Sequence, residues 1–156
     1  MPGPPSSSAG EEGVKPPPVS RAREPTFLVA DRCEFGAAGP RLRGTRCQRC
    51  GRYAFPARVV CPRCKERSMA SAELGQRGTL YSFTVCHVAP EGWQAPYLQA
   101  YIELREGLRI FSLISSAVEP RADALRVGMD MELVIEPVHP GSEVLTFKYR
   151  PVGSDA

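Results

Sequence analysis

The chain has 156 residues, 42% of them hydrophobic, which is enough for one buried core in a single domain or a small domain with an appendage. The sequence has no apolar run of about 18 residues, which excludes a membrane-spanning helix, and no apolar signal segment follows its start, so we expect a cytoplasmic protein. The net charge of +3 is uneven: Arg41–Arg67 holds nine basic residues and one acidic residue, a net of +8, and the remainder carries −5.

The N-terminal segment, residues 1–25, contains seven Pro, three Gly and four Ser and shows no apolar period. This composition is typical of a disordered tail. Residues 26–40 hold a short apolar patch and then several helix breakers, which predicts at most one short helical or extended segment that docks on another surface. Residues 151–156 are predicted to form a C-terminal tail.

Residues 41–70 carry two C-x-x-C pairs separated by ten residues. Their thiolates are the four ligands that a tetrahedral zinc ion takes in a structural site, and they are Cys47, Cys50, Cys61 and Cys64. Gly51 suits the tight turn that follows such a pair. The ligands alone do not exclude iron, but zinc is favoured. With no further Cys or His nearby to suggest an open position, we expect a rubredoxin-like ribbon with a structural metal.

Two other uses of these cysteines are less favoured. A secreted disulfide framework would need a signal peptide and would not favour such close pairs. A redox-active C-x-x-C would need a βαβ setting, which the surrounding sequence does not indicate. The remaining cysteines, Cys33 and Cys86, stand alone.

Residues 71–150 are predicted to form five short strands, near 78–88, 97–104, 108–114, 129–138 and 144–149. The second has the clearest period of two, with Leu98, Ala100, Ile102 and Leu104 on one face. In the first, simple alternation would place Tyr81, Phe83 and Val85 together, opposite Leu80. Five strands in so short a segment favour a small closed barrel. The predicted fold is therefore mainly β, a zinc ribbon followed by a five-stranded OB-type barrel.

Three groups of residues resemble a known family. The first is Arg46-Cys47-x-x-Cys50-Gly51, with Phe55-Pro56-x-Arg58 and Cys61-Pro62-x-Cys64. The second is Gly78-Thr79-Leu80-Tyr81-Ser82-Phe83-Thr84, followed by Pro96-Tyr97 and Glu103-Leu104-x-Glu106-Gly107. The third is Val127-Gly128-Met129 with Val134. Together they resemble, over residues 41–150, the zinc-ribbon and OB-fold proteins of domain-of-unknown-function family 35.

The resemblance implies an accessory function. Members of this family accompany acyl-CoA enzymes, many as small non-catalytic subunits of thiolases or aldolases, including thiolases of aromatic degradation. It implies a thiolase-like catalytic partner that acts on an aromatic, fatty or steroid acyl-CoA. It also implies a nearby CoA thioester and a hetero-oligomer with at least two copies of each chain. The chain departs from the family ahead of the ribbon, where members often carry two helices with aromatic residues and this chain has segments 1–25 and 26–40.

Six residues are candidates for contact with CoA. The basic ribbon can meet the phosphates of CoA, since arginine forks match phosphate oxygens, and its candidates are Arg46, Arg49, Arg52 and Arg58. Trp93 and Tyr97 flank a Pro-containing loop, where they can stack on adenine or line an acyl channel. Aromatic residues in such places also serve as barrel core or as interface anchors.

Two other functions compete with the accessory role. Zinc ribbons and OB-folds both bind nucleic acids, and the basic ribbon supports that alternative. Against it, the barrel half is acidic and its strands lack interleaved basic and aromatic residues. Independent catalysis is less favoured still, because the adjacent Cys86 and His87 would point to opposite faces of a strand and could not act as a dyad.

Overall fold

A computed structural model describes residues 26–28, 32–36 and 39–153. In this part of the chain the secondary structure is entirely β, in ten strands: β1 (Thr26–Phe27), β2 (Cys33–Gly36), β3 (Gly39–Cys47), β4 (Tyr53–Ala54), β5 (Met69–Leu74), β6 (Arg77–Cys86), β7 (Tyr97–Leu104), β8 (Arg109–Ile114), β9 (Asp130–Pro137) and β10 (Val144–Pro151). The predicted disordered tail, residues 1–25, lies outside the described residues, as do residues 154–156. The described ranges contain no helix with the length and apolar character that crossing a membrane requires.

Strands β6 to β10 close into a barrel. β6 pairs antiparallel with β7 and with β9, and β7 pairs antiparallel with β8. β8 then pairs with β10 in parallel, and β10 pairs antiparallel with β9, which completes the circuit. The five-stranded OB-type barrel that the sequence predicts is therefore confirmed, with strand positions close to those expected.

The barrel core follows the period of two. In β7 the alternating residues Leu98, Ala100, Ile102 and Leu104 are each no more than 3% exposed, and their neighbours lie outside. Apolar residues from the other four strands join the same buried cluster. Burying such side chains stabilises the fold by about 1.5–3 kcal/mol each, so this layer is the main source of barrel stability.

A β-bulge in β6 changes the predicted pattern of that strand. The register with β7 shifts between Leu80 and Ser82, and Tyr81 is the extra residue. The bulge puts Phe83 and Val85 on the core side with Leu80, while Tyr81 is 44% exposed. The simple alternation that grouped Tyr81 with Phe83 and Val85 is therefore wrong, because a bulge advances the strand by one residue.

The ribbon is built on a second sheet with β3 at its centre. β3 pairs antiparallel with β2, β4 and β5. The region 26–40 therefore contains two complete strands ahead of the start of β3, where the sequence predicted at most one extended or helical segment. One is β2, and the other is β1, which pairs in parallel with the start of β10. Docking of this region on a partner stays a prediction, as does a domain boundary at residue 70, which falls within β5.

The ribbon sheet packs onto the barrel. Leu42 of β3 and Leu74 of β5 are paired neighbours, 0% and 3% exposed, and belong to the same buried cluster as the barrel interior. Phe55, beyond β4, meets Phe147 of β10 edge to face, with ring centroids 5.8 Å apart. The position of the metal-binding loops is thus set by a shared apolar core.

Candidate metal centre

The four cysteines lie in two turns with the same backbone hydrogen bonds. In the first turn the amide of Gly51 donates to the carbonyl of Cys47 at 2.9 Å, and in the second the amide of Lys65 donates to that of Cys61 at 3.0 Å. Both Gly51 and Lys65 have positive φ, 72° and 62°. This repeated knuckle holds the backbone amides where they point at the sulfurs.

The two positive-φ positions predict opposite effects of substitution. Gly51→Ala should destabilise the ribbon by about 1–2 kcal/mol, because a side chain disfavours this backbone conformation. A Cβ there would meet nothing closer than 3.5 Å, so the effect comes from φ alone. Lys65→Gly removes the same strain and should be neutral or slightly stabilising. Denaturant unfolding of both variants measures this, and two effects of the same sign would contradict it.

The sulfur positions fit one tetrahedral ion. The Sγ atoms of Cys47, Cys50, Cys61 and Cys64 all lie within 4.8 Å of one another. The sulfurs of Cys47 and Cys64 are 3.6 Å apart, and so are those of Cys50 and Cys61. A zinc ion with Zn–S bonds of about 2.3 Å requires sulfurs about 3.8 Å apart. The predicted ligands are therefore brought together as a metal-binding cluster.

The knuckles also favour thiolates. Backbone hydrogen bonds from Cys64 and then Arg63 lower the pKa of Cys61 to about 6, against the opposing effect of burial. Backbone hydrogen bonds, chiefly from Cys50, likewise lower the pKa of Cys47. Thiolates are the form that ligates metal, so the folded turns are prepared for a cation.

The pKa of Cys64 is shifted in the opposite direction. The amide of Glu66 lowers its pKa, but burial and the neighbouring sulfurs outweigh that effect and raise the pKa to about 12. Four thiolates at this spacing repel one another, so some remain protonated. A divalent cation would displace those protons, which makes metal binding weaker at lower pH.

The four candidate arginines lie on or near the ribbon in different settings. Arg46 is exposed, with its guanidinium 5.5 Å from the centre of the Tyr53 ring, and Arg49 forms an exposed ion pair with Glu66. Arg46 and Arg49 both line a cleft of about 480 Å³ beside Cys47. Arg52 and Arg58 are exposed, and neither lines this cleft.

Trp93 and Tyr97 lie in a different cleft, of about 220 Å³, at one end of the barrel. The centroid of the Trp93 ring lies 5.6 Å from that of the Tyr97 ring and 5.6 Å from that of the His139 ring. The structure thus brings the two aromatic residues together, as the sequence suggests, but places them in a cleft that none of the four arginines lines. Contact of either group with CoA stays a prediction.

Sequence reasoning missed a buried polar group in this second cleft. Lys148 of β10 is 2% exposed, and its ammonium donates to Ser116 Oγ at 2.7 Å and lies 3.5 Å from a carboxylate oxygen of Glu136. Burial lowers the pKa of Lys148, and Glu136 opposes that effect. The sequence shows only that Lys148 lies between two aromatic residues of β10, and simple alternation along a strand would then place its side chain in solvent.

An exposed aromatic group covers part of the outer barrel surface. Tyr101 and Phe111 are paired residues of β7 and β8, with ring centroids 5.6 Å apart and exposures of 47% and 50%. Next to them the Arg109 guanidinium lies 3.6 Å from the centre of the exposed Tyr81 ring. We call these four residues the outer aromatic patch. Tyr, Phe and Arg are characteristic of protein interfaces.

Two known domain families match the chain in succession. Residues 36–70 match the family described as "ChsH2, rubredoxin-like zinc ribbon domain", and residues 71–136 match "ChsH2, C-terminal OB-fold domain". The two matches adjoin and cover most of the residues from β2 to β9. The chain belongs to the ChsH2 family of zinc-ribbon and OB-fold proteins.

Two curated relatives are similar to this chain over most of their own length. A DUF35 domain-containing scaffold protein of Methanocaldococcus jannaschii is 36% identical over 114 residues, 70% of this chain and 79% of the relative. The benzoylsuccinyl-CoA thiolase subunit BbsA of Thauera aromatica is 33% identical over 132 residues, 81% of this chain and 89% of the relative. The first match confirms the resemblance to domain-of-unknown-function family 35, and the second relative is by name a thiolase subunit.

A solved structure has the same fold. The Ltp2–ChsH2(DUF35) aldolase contains a chain that matches with a TM-score of 0.58 and 28% identity, over 71% of this chain and 84% of that one. The match agrees with a ribbon followed by an OB barrel.

Proposed function

We propose that this chain is a non-catalytic, zinc-binding accessory subunit of a thiolase-like acyl-CoA enzyme complex. The observation that carries the proposal is the outer aromatic patch, Tyr81, Tyr101, Arg109 and Phe111, which is exposed on a closed barrel. Contiguous exposed aromatic surface of this kind marks protein interfaces. The chain would therefore act by binding a catalytic subunit.

The kind of partner is suggested by the relatives. BbsA is by name a thiolase subunit, and the matching structure is by name an aldolase formed with Ltp2. We propose a thiolase-like partner for this chain, in a hetero-oligomer with at least two copies of each. The partner would supply the catalytic residues and act on an aromatic, fatty or steroid acyl-CoA.

The metal in this proposal is zinc, in a structural role. The four thiolates form a closed tetrahedral set with sulfur separations close to those zinc requires, and Cys47 and Cys61 are fully enclosed by the knuckles. Four protein sulfurs complete the coordination shell, so the ion would stabilise the ribbon and leave no position for substrate. Metal analysis of the purified protein distinguishes zinc from iron.

CoA would be shared between the chain and its partner. Arg46, Arg49, Arg52 and Arg58 would contact its phosphates from the ribbon, while Trp93 and Tyr97 would face a less polar part of the molecule. Arg46 and Arg49 line one cleft, and Trp93 and Tyr97 line another. A single CoA would therefore reach both groups only by extending along the surface between the two clefts. Substitution of each group, with CoA affinity measured in the complex, tests whether both contact CoA.

The competing function is nucleic-acid binding, which the positive charge of the ribbon supports. Phosphate binding by several arginines weakens steeply with salt, because bound counterions are released. Binding to a thiolase through the outer aromatic patch depends on apolar contact and should change little between 50 and 200 mM salt. The salt dependence of any complex therefore separates the two functions.

The test of the accessory role uses the patch. The chain is purified from its native cell and the accompanying protein is identified by mass, then the double variant Tyr101→Ala, Phe111→Ala is compared. If each ring is an interface anchor worth about 2 kcal/mol, removal of one should weaken the complex roughly thirtyfold and of both should abolish co-purification.

The control is Val59→Ala, which removes a still more exposed apolar side chain from the ribbon. It should leave the complex intact. A thiolase-like partner that is lost only with the patch variant supports the proposal. Recovery of the chain alone, or with nucleic acid that salt removes, contradicts it.

A further inference from the structure

The barrel-end cleft has an aromatic wall and a polar end. Most of its lining is apolar, including the rings of Trp93 and Tyr97, with His139 beside them. The polar end consists of Ser116 and the buried Lys148. A mainly apolar cleft with a few converging polar groups is the usual form of a small-molecule site.

The polar end presents hydrogen-bond donors. The carboxylate of Glu136 already accepts hydrogen bonds from the Ser115 hydroxyl at 2.5 Å and the Ser116 amide at 3.0 Å, and faces Lys148 at 3.5 Å. Among the described residues Lys148 has two polar partners, Ser116 Oγ and Glu136, for its three N–H groups. The third N–H is available to a ligand, and burial makes an unused donor costly.

Ser116 offers a second donor beside the first. Its Oγ accepts from Lys148, which leaves its own O–H free to turn toward the cleft. The ammonium and the hydroxyl are 2.7 Å apart, so both can donate to one oxygen of a ligand. Two donors converging on one point suit a carbonyl oxygen, which has two lone pairs.

Charge and size limit the ligand further. Lys148 and Glu136 neutralise each other, so an incoming carboxylate would gain from the ammonium but meet the glutamate charge nearby. The cleft volume of about 220 Å³ equals that of roughly seven water molecules at about 30 Å³ each, which suits one small ring with a short substituent. The ligand that fits is small, uncharged and flat.

We propose that this cleft binds the carbonyl group of a small, uncharged aromatic acyl compound, with Lys148 and Ser116 donating to its oxygen and Trp93 and Tyr97 packing on its ring. The inference rests on the proposed function in that the same two aromatic residues serve there as candidate CoA contacts. It adds that Trp93 and Tyr97 contact the acyl group of the CoA thioester, or a neutral ketone of similar shape.

The test uses the full-length, zinc-loaded chain and its single tryptophan. Trp93 gives the one indole N–H signal in a ¹H–¹⁵N spectrum, so its shift reports occupancy of the cleft. The probes are acetophenone, a neutral aromatic ketone, and benzoate, an anion of the same size. We expect acetophenone to bind with a dissociation constant on the order of 1 mM and benzoate at least about tenfold more weakly.

Two variants test the donors. Ser116→Ala removes one donor at an exposed position and should weaken acetophenone binding roughly three- to tenfold. Lys148→Met keeps the unbranched stem of the buried side chain, removes its ammonium group and should have at least that effect. If Lys148→Met does not fold, Ser116→Ala decides the matter. The control is Ser71→Ala, which lies in β5 and lines the ribbon cleft.

Three results would overturn the inference: no movement of the Trp93 signal with acetophenone, benzoate binding as tightly as acetophenone, or unchanged affinity in Ser116→Ala. The test needs no partner, so it separates this inference from the proposed function. If the probe binds but no thiolase-like partner co-purifies with the chain, the cleft inference stands and the accessory role fails. If a partner co-purifies but the probe does not bind, the accessory role stands and the cleft inference fails.

Discussion

Cys61→Ser is expected to release the metal and unfold the ribbon. Serine is a poor zinc ligand, and the three remaining sulfurs cannot complete the tetrahedral set. Zinc contributes roughly 10–16 kcal/mol to the folding of small zinc-dependent domains, far more than an apolar core of this segment would supply. Metal content should fall from about one ion per chain to near zero, and the amides of residues 41–70 should lose protection from hydrogen exchange.

Cys86→Ser is the matched control. Cys86 is a half-buried cysteine at the end of β6 and is not among the four clustered sulfurs. It should keep one metal ion per chain and an intact ribbon. Chelation of the wild-type chain should reproduce the Cys61→Ser spectrum, since both remove the same ion. A folded ribbon in metal-free Cys61→Ser would contradict a structural metal.

Leu42→Ala is expected to lower the free energy of unfolding by about 2–5 kcal/mol, the range for a buried leucine. Leu42 is fully buried in β3, pairs with Cys33 on one side and Leu74 on the other, and joins the cluster that fills the barrel. Because the cavity would open between ribbon and barrel, both parts should lose stability together. Denaturant unfolding followed separately by ribbon and barrel amides measures this.

The neighbouring Arg43→Ala serves as its control. Arg43 is exposed and pairs with Glu34 across the sheet, an ion pair worth about 0–1 kcal/mol. A small effect at residue 43 with a large one at residue 42 would confirm that the buried face of β3 couples the two parts. Destabilisation of the ribbon alone by Leu42→Ala would show that the barrel is independent of it.

The barrel and the metal ligands could be predicted because each depends on a local pattern. In β7 every second residue is apolar and buried, namely Leu98, Ala100, Ile102 and Leu104. Such a clear period of two identifies a strand and the face that it buries. The cysteine spacing fixes the ligand set through covalent geometry alone. Neither requires knowledge of distant residues.

The ribbon strands could not be predicted in the same way. β3 carries Pro40 and two glycines, which usually argue against a strand. Gly44 is needed there because a Cβ would lie 2.6 Å from the carbonyl oxygen of Ala54 in β4. The requirement comes from the close approach of another strand, so only the tertiary structure explains it.

The bulge and the buried lysine were missed for related reasons. Tyr81 fits a regular strand by composition, and its displacement appears only through the register with β7. Lys148 lies between the buried Phe147 and Tyr149, where alternation predicts an exposed side chain. It is buried because loops from three other parts of the chain, around Trp93, Ser116 and His139, cover that end of the barrel.

Closure of the barrel limits how another protein can attach to it. Every strand from β6 to β10 has a hydrogen-bonded neighbour on both sides, so a partner cannot add a strand to this sheet along its paired length. Recognition on the barrel must then use outward side chains, which take no part in the ladder. Such residues can be exchanged with little effect on folding, so one barrel can acquire different partners through changes at positions such as Tyr101 and Phe111.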